Sequence, residues 1–134
     1  MNKQAIIVGA GPCGLSAAIE LEKIGVSCTV IERGNIVDAI YRYPTHQTFF
    51  SSASLLEIGD IPFICKDLKP RRQDALVYYR EVVTRTGLNV HPFETVESVD
   101  KENDRFVVTS RHERRGETVR EADYVILATG YYGR

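Results

Sequence analysis

An α/β fold, in which a parallel sheet carries an inserted antiparallel β-meander, follows from three observations in this 134-residue sequence. A short apolar run breaks at a glycine-rich turn, enters a helical pattern and meets a second apolar run, which together make one βαβ unit. Later, the alternating segment Arg105–Ser110 leads to Arg114-Arg115-Gly116-Glu117, a hairpin turn, and returns over Thr118–Glu121. The final run, Tyr124–Leu127, is almost entirely apolar, as expected of a strand with both faces covered.

The first strand is expected over Ala5–Val8 and the turn over Gly9–Gly14. A helix then runs to about Lys23: Leu15, Ala18, Ile19 and Leu21 recur at helical spacing, Glu20, Glu22 and Lys23 face water, and Gly25 supplies the stop. Ser16, Ala17 and Ala18 are small enough for close approach to a sheet. The second strand is Cys28–Ile31. From Asn35 to about Pro70 no period is sustained, and the aromatic, hydroxyl-rich patch Tyr41–Ser54 stands out. So long a loop in a compact domain usually carries function. A second helix is expected over Gln73–Thr86, burying Ala75, Leu76, Tyr79, Val82 and Val83 and capped by Gly87. Asn89–Val99 opens the strand-rich stretch.

With 43% apolar and 26% charged residues the chain has the composition of one domain, 1–134, with a workable core. Seventeen basic against eighteen acidic side chains give a net charge of −1, so no global field favours nucleic acid or an anionic membrane, and neither is expected as a partner. Met1–Gln4 precede only a short apolar run, which does not have the pattern of a signal peptide, and no stretch approaches a membrane span. Cys13, Cys28 and Cys65 show neither C-x-x-C nor metal-ligand spacing. That argues against a secreted disulfide scaffold and against bound metal, and favours a reducing cytoplasm.

Gly9-Ala10-Gly11-Pro12-Cys13-Gly14 fits G-x-G-x-x-G, and it lies between an expected strand and an expected helix, the context a Rossmann-like dinucleotide site requires. Gly9 would allow the tight turn, Gly11 the approach of backbone to a pyrophosphate, and Gly14 the close packing of helix and strand. Free N–H groups and the positive end of the helix dipole would hold the phosphates. Glu32 closes the second strand about twenty residues on, where a carboxylate can accept from ribose hydroxyls and disfavours a 2′-phosphate. Arg33, beside it, is either a phosphate contact or a solvated neighbour. These residues do not separate NAD from FAD, which share the adenosine diphosphate half.

The fingerprint, the meander and the terminal Tyr124-Val125-Ile126-Leu127-Ala128-Thr129-Gly130 together resemble the two-dinucleotide-fold flavoproteins. The resemblance implies FAD as cofactor, with Ala128, Thr129 and Gly130 against it and the chain then crossing into an NADPH domain. More narrowly, Gly11-Pro12-Cys13-Gly14-Leu15-Ser16-Ala17-Ala18, Tyr43-Pro44-Thr45-His46-Gln47-Thr48-Phe49-Phe50-Ser51-Ser52, Tyr78-Tyr79-Arg80-Glu81-Val82-Val83 and Ala128-Thr129-Gly130-Tyr131-Tyr132 are similar to the YpdA-type bacillithiol disulfide reductases. The central block is the most specific, because the fold does not dictate its order. What this implies is an NADPH-dependent flavoenzyme passing electrons through FAD to a small-molecule disulfide. Chains of that family are considerably longer. Residues 1–134 would then be the N-terminal part of an FAD-binding domain, without the NADPH domain or the C-terminal FAD segment, and inactive alone. Homo-oligomerisation stays open.

Cys13 is the sharpest candidate for chemistry, since the C-x-x-C of thioredoxin-reductase relatives is absent and the YpdA-type enzymes share this thiol. A helix N-terminus lowers a thiol pKa and a bound pyrophosphate raises it again, so a redox role and a packing role both stand. Cys28 and Cys65 are expected to be structural. The patch containing His46, Gln47 and Thr48 offers imidazole, amide and hydroxyl groups beside aromatic faces, the mix found around a flavin ring or a substrate mouth. His46 is equally well a structural loop histidine. Arg71-Arg72 and Arg114-Arg115 are expected at the solvated surface, the first pair also offering an anion contact, and Tyr131 and Tyr132 either shield the cofactor, serve an interdomain hinge or pack against the rest of a longer chain. Two other functions share the fingerprint: a flavin-dependent monooxygenase, and a noncatalytic FAD- or NAD-binding module.

Overall fold

The computed structural model describes residues 3–45, 47–49 and 51–130; His46, Phe50, Tyr131 and Tyr132 lie outside the described residues. Strand β1 (Gln4–Val8) pairs in parallel with β2 (Ser27–Ile31), Gln4 opposite Ser27 and Val8 opposite Ile31. Because a parallel pair needs a crossover, helix α1 (Pro12–Lys23) lies between them and buries Leu15, Ala18 and Ile19. It stops where Gly25 takes φ +88°, a left-handed conformation that costs glycine little.

Two helices of four residues each, α2 (Asp38–Tyr41) and α3 (Ala53–Leu56), break up the long loop. Neither is long enough to display a 3.6-residue period, which is why no element was legible there. Helix α4 (Arg72–Thr86) begins with Asp74 Oδ2 accepting from Arg71 N at 2.8 Å and ends at Gly87, φ +67°. It buries Ala75, Leu76, Tyr79 and Val82 as expected, but Tyr78 takes the place of the only partly buried Val83. The reason is tertiary: Tyr78 stacks on Phe63 at 4.3 Å and donates its hydroxyl to Ile61 O at 2.7 Å. Tyr79 donates to Leu56 O at 2.8 Å, so neighbouring tyrosines pin the irregular segment to the helix.

The stretch after α4 splits at Pro92-Phe93. Strand β3 (Asn89–His91) joins the parallel sheet beside β2, whereas β4 (Glu94–Glu102) starts a meander with β5 (Arg105–His112) and β6 (Gly116–Ala122). Strand β7 (Tyr124–Leu127) returns to lie parallel to β1. The sheets run β3-β2-β1-β7 and β4-β5-β6, so the expected insertion of an antiparallel meander into a parallel sheet is what the chain forms. The hairpin between β4 and β5 turns on Asn103 and Asp104, φ +50° and +67°, the pair of left-handed residues a two-residue hairpin favours.

Alternation along the strands assigns the two faces of the parallel sheet. Ala5, Ile7, Cys28 and Val30 pack with α1 and α4, while Ile6 and Ile31 pack with Val108 and Ala122 of the meander. The expectation that both faces of β7 are covered holds for its middle, where Ile126 packs on the helix-side core and Val125 on the meander cluster, but not for its ends, since Leu127 is 71% exposed and Tyr124 46%. Among the described residues β7 pairs only with β1 and forms the sheet's edge. Apolar composition records what a strand can bury, not what lies over it.

Tyr79 is the largest fully buried side chain. Tyr79→Ala is expected to lower stability by about 3–5 kcal/mol through the cavity it leaves. Tyr79→Phe, which strands only the Leu56 carbonyl, should cost about 1 kcal/mol; urea denaturation separates the two.

Candidate functional site

The three motif glycines have different surroundings. A Cβ on Gly9, φ +114°, would stand 2.2 Å from Ala128 O, and one on Gly14 would stand 2.0 Å from Gly9 O. On Gly11 it would meet nothing within 4 Å. Gly9 and Gly14 are therefore demanded by the fold, and Gly11 leaves open space. The close approach to a strand expected of Gly14 falls on Gly9, which passes directly beside β7. The first helical bond runs from Leu15 N to Gly11 O at 2.9 Å, and α1 has no side-chain cap. The amides of Gly11, Cys13 and Gly14 are thus left without an acceptor among the described residues, at the positive end of the helix.

Glu32 is 6% exposed. Its Oε1 accepts from Ala10 N at 2.8 Å and its Oε2 from Gly34 N at 2.6 Å, so the acid ties the glycine turn to the loop after β2. That tie is a task the sequence did not reveal. Each oxygen keeps a second lone pair, so the carboxylate can still accept from a ligand. The same loop is held by Val37 N, which donates to Ala10 O at 2.8 Å although Val37 has φ +49°, and by buried Asp38, which accepts from Asn35 N and from Arg42 Nε. The Asp38/Arg42 spacing of four was the available clue.

Around this turn lies a cavity of about 450 Å³, within the range of small-ligand sites. Gly9, Gly11, Pro12 and Cys13 line it from the turn, Glu32 and Arg33 from the end of β2, and Ala128, Thr129 and Gly130 from beyond β7. Nine of the expected residues thus surround one space, with Gly14 packed beneath the turn. Arg33 is exposed at its rim. Gln47 and Thr48 are not part of its lining: they run beside the start of α4, where Arg72 N donates to Gln47 O at 2.9 Å and Thr48 bridges Arg71. His46 falls outside the described residues. Arg72, expected only at the surface, donates its guanidinium to Tyr41 O and lies over the Tyr41 ring at 5.4 Å.

Of the three cysteines only Cys13 borders the cavity, and it is exposed at the second position of α1. Cys28 is buried, and burial, with the nearby Glu22 charge, pushes its thiol up to about 11. Burial also raises the Cys65 thiol, which donates to Asp67 O at 2.9 Å.

The third wall, Glu94-Thr95-Val96 of β4, was missed. Glu94 is 4% exposed; its Oε2 accepts from Ser110 Oγ and from Arg120 Nη1, each at 2.5 Å. Burial pushes the Glu94 carboxyl up, but the hydrogen bonds from Ser110 and Arg120 and the Arg120 charge outweigh it and hold the group below its ordinary value. Burial lowers the pKa of neighbouring His91, and Arg120 reinforces the shift. No sequence pattern links positions 94, 110 and 120, because only the meander's register brings them together.

Residues 6–134 match the family model described as pyridine nucleotide-disulphide oxidoreductase. The chain belongs to that family. A member from Bacillus subtilis (strain 168), bacilliredoxin reductase Bdr, is 53% identical over 133 residues, which is 98% of this chain and 40% of the relative. The solved structure of bacillithiol disulfide reductase Bdr (YpdA) from Bacillus cereus superimposes with a TM-score of 0.93 at 52% identity, covering 98% of this chain and 41% of that one. Indole-3-pyruvate monooxygenase YUCCA6 from Arabidopsis thaliana is 28% identical over 93% of this chain and 31% of its own length. The chain therefore spans about two fifths of the Bdr relatives. The parallel sheet and meander of this chain superimpose on those of the Bdr structures. Among the described residues no helix is long and apolar enough to cross a membrane.

A carboxyl with a lowered folded pKa contributes stability above its unfolded value and loses it as pH falls through the folded one. Glu94→Gln is therefore expected to flatten the decline of stability below about pH 4.5, as followed by urea denaturation at stepped pH. Gly14→Val should lower the melting temperature markedly, whereas Gly11→Val should leave stability within about 0.5 kcal/mol.

Proposed function

We propose that this chain is the FAD-binding part of an NADPH-dependent flavoprotein of the cytoplasm that reduces a low-molecular-weight disulfide, bacillithiol disulfide. The observation that carries it is the open space over Gly11, faced by amides without acceptors and closed on the other side by Glu32. An ADP moiety suits that donor set: Gly11, Cys13 and Gly14 amides for the diphosphate, and the remaining Glu32 lone pairs for ribose hydroxyls. A carboxylate at that point opposes the extra phosphate of NADP, and FAD is chosen over NAD on the resemblance to the two-dinucleotide-fold flavoproteins. We assign NADPH to further chain of the kind the longer relatives possess. Substrate and activity are taken from the Bdr relatives.

FAD, when bound, supplies two-electron transfer between a nicotinamide and a disulfide. This chain's residues bind and orient it. Gly9 and Gly14 shape the turn, α1 directs its dipole at the phosphates, and Ala128, Thr129 and Gly130 border the cavity beside the turn. We assign the redox role to Cys13, a reading supported by its being the one cysteine of the three that is exposed and borders the cavity. With no second thiol beside it among the described residues, Cys13 would act by attack of its thiolate on the substrate disulfide, forming a mixed disulfide and releasing one thiol. Two electrons supplied through the cofactor, with a proton, would then release the second thiol and restore Cys13. His46, Gln47 and Thr48 are kept as candidates for the flavin end. The monooxygenase relative supports a second function, in which NADPH oxidation is coupled to hydroxylation.

Flavin fluorescence titration should show FAD binding to the wild type and its loss in Gly11→Val with the fold retained; equal affinity in both counts against the site. In a full-length enzyme, Cys13→Ala should abolish disulfide reduction, measured as substrate-dependent NADPH oxidation. Unchanged turnover would leave Cys13 without a redox role, and hydroxylated product would favour the monooxygenase.

A further inference from the structure

The cavity that faces an anionic ligand contains a second carboxylate besides Glu32. Glu94 lines it, and Glu94 N donates to Glu32 O at 2.9 Å, so the first residue of the meander is attached to the end of β2. Phe93, φ +59°, makes the turn just before, and its N–H donates to Gly34 O at 3.1 Å. From there the Glu94 side chain enters the meander, meeting Ser110 of β5 and Arg120 of β6. Arg120 Nη1 also donates to Ser110 Oγ at 3.0 Å, closing a triangle with one member from each meander strand.

We infer that Arg120 is a positioning residue for the nucleotide: through Glu94 and Ser110 it locks the wall Glu94-Thr95-Val96 against β2 and cancels the charge that Glu94 would otherwise present to the ligand. This rests on the cavity taking a dinucleotide. Arg120 itself is not among the cavity-lining residues. A buried carboxylate deprived of its partner is costly, and it relieves that cost by moving or by taking up a proton. Either response reaches the wall. The charged and titratable groups facing Glu94 are Arg120 from β6 and His91 at the end of β3, with Arg115 beyond His91.

The test is the affinity for FAD, and separately for ADP, between pH 5.5 and 8.5 in the wild type, Arg120→Met, Arg120→Lys and the double variant Arg120→Met/Glu94→Gln, with circular dichroism to follow folding. Wild type should bind with a nearly flat profile. Arg120→Met should bind both ligands about tenfold or more weakly at high pH and regain affinity as the pH falls and Glu94 is protonated. Arg120→Lys should restore most of the loss. His91, whose pKa burial lowers, is the other titratable group near the wall, so the double variant separates the two: it keeps His91, and its profile should be flat with lowered affinity. If Arg120→Met does not fold, the double variant, which buries no unpaired carboxylate, carries the test, and wild-type affinity there overturns the inference. A folded Arg120→Met that binds as wild type, or that weakens equally at every pH, also overturns it. A wild type that binds neither FAD nor ADP overturns the dinucleotide site itself, and the inference with it.

Discussion

Strand β1 is held between β2 and β7, and its end must turn into α1 in the narrow space those neighbours leave. The Ala128 carbonyl lies where a side chain on Gly9 would begin, and the Gly9 carbonyl lies where one on Gly14 would begin. Backbone is packed on backbone at both positions, which only glycine permits. Much of what the site offers follows from that crowding: the turn is tight, the helix starts at once, and its first amides have no acceptor among the described residues. Gly11, between the two crowded glycines, is the position where the protein's own atoms withdraw.

Electrostatics sets the next constraint. The helix terminus attracts an anion, while Glu32 and Glu94 border the same cavity. Glu32 is compensated by two backbone amides, and Glu94 by a hydroxyl and a guanidinium. The acids thus serve as internal anchors of the loop after β2 and of the meander. Buried carboxylates are tolerable where their charge is met by donors on several sides, and each of these is met from separate elements. The cavity is consequently held by three pieces of chain distant in sequence: the glycine turn, the end of β2 and the start of β4.

Membership of the pyridine nucleotide-disulphide oxidoreductase family agrees with this arrangement at the level of fold, and the close Bdr likeness narrows the chemistry proposed. Both sides of the parallel sheet are used. Helices α1 and α4 cover one, the meander covers the other, and the cavity forms where the ends of β1, β2 and β7 meet. Leu127 at the β7 edge of the sheet is largely open.

What the sequence by itself determined is what short-range stereochemistry determines. The glycine spacing, the apolar period of α1 and α4, the alternation of β5 and the turn at Gly116 each reflect constraints acting within a few residues, and each element formed where it was expected. Nine of the site residues were legible for the same reason, being parts of one turn, one strand end and one terminal motif. Tertiary structure alone decided the rest. Tyr78 replaced Val83 in the core because Phe63 stacks there, Tyr124 and Leu127 at the two ends of β7 stayed exposed while Val125 and Ile126 packed, and Glu32 acquired, besides the nearby Gly34 amide, that of Ala10 from the glycine turn. Glu94, Ser110 and Arg120 came together only through strand register, since hydrogen bonds between distant residues leave no periodic trace in the chain that forms them.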